Sequence, residues 1–185
     1  MKISMWKTVS YVCAAAALTT MAVGAKDVRT ISVRDECDPA TFNAALQDPD
    51  ACVGDGDVTF TEFLDALADG GHEKWRFNND QTETDSAVNS SNRGGETHTF
   101  TEVKRFGGGF IPLLNMGQAP ISECVDLSTG SPILLPDGTF KPGTGVNPDT
   151  VVPAGGTSRT QTLPRGTHKF QCCIHPWMRS TVTRR

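Results

Sequence analysis

The run Cys172-Cys173-Ile174-His175-Pro176-Trp177-Met178 puts a thiol, an imidazole and a thioether within seven residues. Soft sulfur donors beside imidazole form a ligand set that suits copper. Two histidines and one cysteine make the trigonal plane of a one-electron copper site, with methionine as a weak axial ligand. The run supplies one histidine, so a second must come from elsewhere in the chain. The candidates are His72, His98 and His168. His98 follows Gly94-Gly95-Glu96-Thr97 and opens the strand-like HTFTEV, which suits a ligand at the mouth of a sandwich. His168 lies four residues before Cys172 on one strand-like segment. An extended chain would carry it about 13 Å from the sulfur. His72 is not excluded by geometry, but it sits in a polar turn with no companion signal. A Cys-x-x-His pair alone more often marks structural zinc or chance. Met178 at the next offset, Pro176 between them, His98 upstream and an export signal turn the reading to one copper ion held by His98, Cys172, His175 and Met178.

The export signal is residues 1–25. Lys2 and Lys7 give a positive start, an apolar run spans about Val9 to Val23, and Val23-Gly24-Ala25 offers small residues for cleavage. That run is short for a membrane span. Cys13 does not sit in a convincing lipoprotein cleavage box. The reading predicts a periplasmic or secreted protein cleaved near Ala25, without stable membrane insertion. The whole chain carries 17 Lys and Arg against 21 Asp and Glu, a net charge of −4. Cleavage removes two lysines and no acids, which leaves 15 against 21. A mildly acidic protein has no electrostatic reason to bind nucleic acid. Its charge suits solubility or steering toward a basic partner. Cys37, Cys52, Cys124, Cys172 and Cys173 follow the signal. An odd count in an oxidising compartment leaves a thiol that needs a role, and a metal supplies one.

The elements that must position these residues read mostly as β. VRTISV at 28–33 alternates like a first strand. EKWRFNN, HTFTEV, SRTQTL and THKFQCCI are short, β-branched or aromatic, and separated by Gly, Pro, Asn and Asp. Trp75 and Phe77 read as core. Residues 85–96 are polar, and 105–160 form a long Pro- and Gly-rich connection of the kind that often carries function. Short strands in an exported chain point to an antiparallel sandwich. Residues 36–70 differ, because ATFNAAL and FTEFLDALA show helical spacing. Cys37 and Cys52 bracket the first, so the stretch reads as a helical insertion stapled by a disulfide. Within it, Asp55, Gly56 and Glu62 fit the later positions of a calcium loop. The first and third positions would fall on Ala51 and Val53, which lack side-chain oxygen. An ordinary turn before a helix is the better reading.

The C-terminal segment resembles the copper loop of the cupredoxins, and most closely that of the amicyanin- and plastocyanin-like members. The pattern Cys, two residues, His, Pro, aromatic, Met, Arg is carried by Cys172, His175, Pro176, Trp177, Met178 and Arg179. GGETHTF resembles the family's upstream histidine strand. The similarity covers about residues 72–103 and 159–185. It implies an all-β Greek-key β-sandwich, a type 1 copper site and outer-sphere electron transfer. The chain is thus expected to be a signal peptide plus one domain, 26–185, in which 36–70 is the insertion. Two departures stand out. Thr99 replaces the asparagine that ties the two loops together in the family, although its backbone N–H can still reach the cysteine sulfur. Cys173 is an extra thiol beside the ligand. Neighbours on a strand point to opposite faces, so Cys173 is expected to face away from the metal and pair with Cys124, or else to remain a buried free thiol.

These readings predict a monomeric electron carrier between redox partner proteins, not an enzyme. A periplasmic copper carrier or storage protein on the same fold is the alternative. His175 is expected to be the exposed edge through which electrons pass. Trp177, between two ligands, is either a surface aromatic at a docking patch or simple loop packing.

Overall fold

The computed structural model describes residues 27–79, 81–136, 139–143 and 148–185. The export signal expected at 1–25 and Cys13 lie outside these residues. Among the described residues, no helix is long and apolar enough to cross a membrane.

Strand β1 (Val28–Arg34) leads into two short helices, α1 (Pro39–Leu46) and α2 (Phe60–Asp65). Then come β2 (Arg76–Phe77), β3 (Gln81–Thr84), β4 (Ala87–Asn92), β5 (His98–Thr99) and β6 (Thr101–Val103). The long connection holds two ribbon strands, β7 (Ile133–Leu134) and β8 (Phe140–Lys141), and β9 (Val151–Val152). The chain closes with β10 (Gln161–Thr162), β11 (Gly166–Gln171) and β12 (Arg179–Arg184). One four-stranded sheet has the order β10-β4-β1-β2 and the other β3-β12-β11-β6. The chain passes back and forth between them, which is the Greek-key sandwich the sequence predicts.

The sheets are mixed rather than purely antiparallel. Strand β1 pairs with β4 in parallel, Val28 opposite Ala87 through Val33 opposite Asn92. Strand β12 pairs with β3 in parallel as well. Parallel neighbours need a crossover connection, and here the chain visits the opposite sheet between the two members of each pair, at β3 for the first and at β4 and β10 for the second. Strand β4 is the element least expected from its sequence. AVNSSN reads as polar connection, yet Ser90 and Asn92 are buried. The Ser90 hydroxyl finds no partner among the described residues, but the backbone of Ser90 and the side chain of Asn92 are hydrogen-bonded. Ser90 N–H donates to Ser158 Oγ at 2.8 Å, and Asn92 Nδ2 donates to the carbonyls of Glu96 at 2.7 Å and Val152 at 3.0 Å.

The helices begin where their caps dictate. The Asp38 carboxylate accepts from Ala40 N–H, and Pro39 sits at the first helical position. Thr59 and Glu62 form a reciprocal capping box at α2, so the acid that fits the end of a calcium loop is occupied by a cap. Cys37 and Cys52 are disulfide-bonded across α1. Phe42 and Phe63 from the helices share one buried core with Ile31, Val33, Trp75, Phe77, Phe100, Phe170, Cys172 and Met178. The helical segment is therefore packed onto the sandwich. A smaller core gathers Val103, Ile121, Val125 and the Cys124–Cys173 disulfide.

Candidate metal centre

Three ligand candidates converge at one end of the sandwich. Ligand atoms of His98, Cys172 and His175 lie within 4.8 Å of one another, and all three residues are buried. His98 starts β5, whose register places it opposite Val152 of β9. Cys172 directly follows β11, and His175 lies in the turn between β11 and β12. Cys172 Sγ is 3.7 Å from His98 Nδ1 and 3.9 Å from His175 Nδ1. Met178 N–H donates to the His175 carbonyl at 3.0 Å, and Cys172 N–H donates to the Met178 carbonyl at 3.1 Å. These bonds close the loop and return the buried Met178 to its base. His168 is held elsewhere, 2.6 Å from Glu102 and 2.9 Å from the Pro164 carbonyl. His72 lies against the Trp75 ring.

With both disulfides formed, Cys172 is the free cysteine among the described residues. Its sulfur accepts from Thr99 N–H at 3.4 Å and from His175 N–H at 3.5 Å. The Thr99 side chain takes up the loop tie in a different way. Its Oγ1 accepts from Cys173 N–H at 2.8 Å and from Thr101 Oγ1 at 3.1 Å.

Two acids that the sequence reading did not single out complete the site. Asp35, at the end of β1, lies with its Oδ2 2.7 Å from His98 Nε2, and both side chains are buried. Its other acceptor positions take Gly95 N–H at 2.9 Å, Glu96 N–H at 3.2 Å and Cys37 N–H at 3.4 Å. Gly94 and Gly95 make this drape possible: a Cβ on Gly94 would sit 1.8 Å from Asp35 Oδ2. Glu96 accepts from the Trp75 indole N–H and lies 3.6 Å from His175 Nε2. Each imidazole therefore turns Nδ1 to the sulfur and Nε2 to a carboxylate. Such outer partners fix the tautomer and ring orientation of metal-ligating histidines.

The electrostatics follow from burial and pairing. Burial alone would hold His98 neutral, but Asp35 and Cys172 outweigh it and push its pKa up to about 10. Burial would also push the Cys172 thiol up, yet His175 and His98 hold it well below its ordinary value. Asp35 is held low against its burial, chiefly by His98. Burial dominates at Glu96 and raises it. In the metal-free protein the thiolate and Asp35 thus face a protonated His98. A cation bound among these ligands would replace that proton, as metal binding to such sites generally does.

The sequence expectation of an exposed His175 is not met. His175 is 2% exposed. Phe63 of α2 meets its ring edge-on at 5.9 Å, with Trp177 at 5.4 Å and Trp75 at 6.5 Å. Helix α2 and its aromatic neighbours cover the edge that was expected to face solvent. Trp75 and Phe77 are core residues, as expected.

No protein-family model matches the chain, and no curated protein matches it. Solved structures it is similar to include amicyanins. Amicyanin from Paracoccus versutus aligns at 14% identity and a TM-score of 0.33, over 62% of this chain and 76% of that one. A reduced amicyanin mutant gives 16% and 0.33, over 62% and 77%. A Cu(I) form of another mutant gives 14% and 0.32, over 60% and 73%.

Proposed function

We propose that this is an exported blue copper protein that carries single electrons between redox partner proteins. Its mononuclear site is formed by His98, Cys172, His175 and Met178. The observation that carries the reading is the buried His98–Cys172–His175 cluster built around a free thiol. This donor set fits a soft, borderline metal and not a hard cation. Bound there, copper would supply one-electron chemistry between Cu(II) and Cu(I). The protein's part is to hold the ligands still. Asp35 fixes the His98 ring, two backbone N–H groups fix the sulfur, and Thr99 joins the β5 and β11 ends. Ligands held in this way need little rearrangement when the charge at the site changes. The acidic net charge of −4 suits basic partner surfaces rather than nucleic acid.

Two rates on the copper-loaded protein test electron carriage against copper carriage. The reading predicts fast one-electron exchange with a small outer-sphere oxidant and slow surrender of Cu(I) to a soluble chelator. Slow electron exchange with rapid, reversible loss of Cu(I) would instead make the protein a copper carrier.

A further inference from the structure

Burial of His175 raises the question of where an electron crosses the surface. The ring is enclosed by Phe63, Trp75, Trp177 and His98, and its Nε2 faces Glu96. Phe42 backs this wall, 5.5 Å from Phe63 and 5.8 Å from Trp75 between ring centres. Phe63, Trp75 and His98 are themselves buried, at 3%, 1% and 0% exposure. Trp177 alone among these neighbours keeps part of its surface in solvent. Its ring packs against Gly71, where a Cβ would come within 2.3 Å of it. It also lines an open cleft with Arg76, Asn79, Met178 and Arg179. Trp177 is covalently placed between two ligand candidates and touches the His175 ring, so it is the shortest aromatic link between site and solvent.

We propose that electrons enter and leave through the Trp177 indole, and that the helical segment 36–70 insulates the His175 edge. This rests on reading the site as a one-electron copper centre. No bond forms or breaks: the partner loses one electron, the site gains it, and the indole lies on the path. The helical segment is a cover that excludes direct contact with the imidazole.

Three variants test this: Trp177→Leu, Trp177→Phe and Phe63→Ala. The probe is ferrocyanide at fixed ionic strength, with the optical band and reduction potential recorded on each sample. With band and potential retained, Trp177→Leu is expected to slow exchange about tenfold while Trp177→Phe stays close to wild type. Phe63→Ala opens the histidine edge and is expected to speed exchange. A second readout needs no copper: acylation of His175 by an imidazole reagent, mapped by mass spectrometry, should be blocked in the wild type and appear in Phe63→Ala. Unchanged exchange in Trp177→Leu, or His175 acylated equally in wild type and Phe63→Ala, overturns the proposal. If Trp177→Leu loses its copper, Phe63→Ala decides, and an unchanged or slower rate overturns the proposal. A wild-type protein with no thiolate–copper band would sink the copper reading itself, while the acylation result would still judge the cover.

Discussion

Replacing Asp35 by Asn tests the least expected part of the site. The carboxylate accepts from His98 Nε2 and from three backbone N–H groups. An amide keeps one oxygen for these four donors, and its NH2 group must then face N–H groups. Neither flip of the amide satisfies the site. Raising His98 from 6.5 to about 10 corresponds to about 5 kcal/mol of preference for its charged form. Cys172 supplies part of that preference, so losing Asp35 alone should cost about 3 kcal/mol, the lower end for breaking a buried pair. In a domain of this size that is a fall of about 6–12 °C in Tm. The sign with pH follows from a raised folded-state value. The stabilisation is whole below pH 6.5 and is lost as pH rises toward about 10. Thermal unfolding of metal-free wild type and Asp35→Asn, followed from pH 6 to pH 10, measures both quantities. The gap between them should narrow steadily with alkalinity. A variant within about 0.5 kcal/mol of wild type at pH 6, the scatter of ordinary surface changes, would refute the claim that Asp35 holds a charged His98.

Copper binding to the metal-free protein at pH 8 should release a proton from His98, whose pKa is pushed up to about 10. Calorimetry in buffers of different ionisation enthalpy counts it, and no buffer dependence would contradict the pairing. Thr99→Ala leaves the Cys173 N–H without its acceptor and should cost about 1–3 kcal/mol in urea unfolding, whereas Thr99→Ser should recover most of it. The double variant Cys124→Ala, Cys173→Ala removes a cross-link over a separation of 49 residues and should lose about 2–4 kcal/mol. It should keep its copper spectrum, because Cys173 points away from the site, and a lost spectrum would place that disulfide in the metal's support.

The chemistry of the centre was more legible than its surroundings. Cys172 and His175 lie close in sequence, and the structure brings them together with His98. His98 had to be chosen among distant histidines by strand-like context and a reach argument against His168, and the structure places His98, not His168, beside Cys172. Strand alternation turned Cys173 away from the metal but left pairing with Cys124 and a buried free thiol both open, and the structure forms the disulfide. Asp35 was not legible, because a lone acid ending a strand usually faces water. Its burial depends on Gly94 and Gly95 folding over it from a distant loop. Strand β4 was missed for a related reason: the Asn92 side chain and the Ser90 backbone are held by tertiary hydrogen bonds, not by an apolar alternation. The helices were legible from spacing and caps, but their placement over His175 was not. That placement depends on contacts among Phe63, Trp75 and Trp177, which no local pattern encodes.

The most direct test of the central claim is an optical and EPR spectrum of the purified protein with one equivalent of Cu(II). The account predicts an intense blue thiolate-to-copper band with narrow copper hyperfine splitting, both lost in Cys172→Ala. A pale spectrum with ordinary copper splitting, unchanged by that substitution, would contradict it.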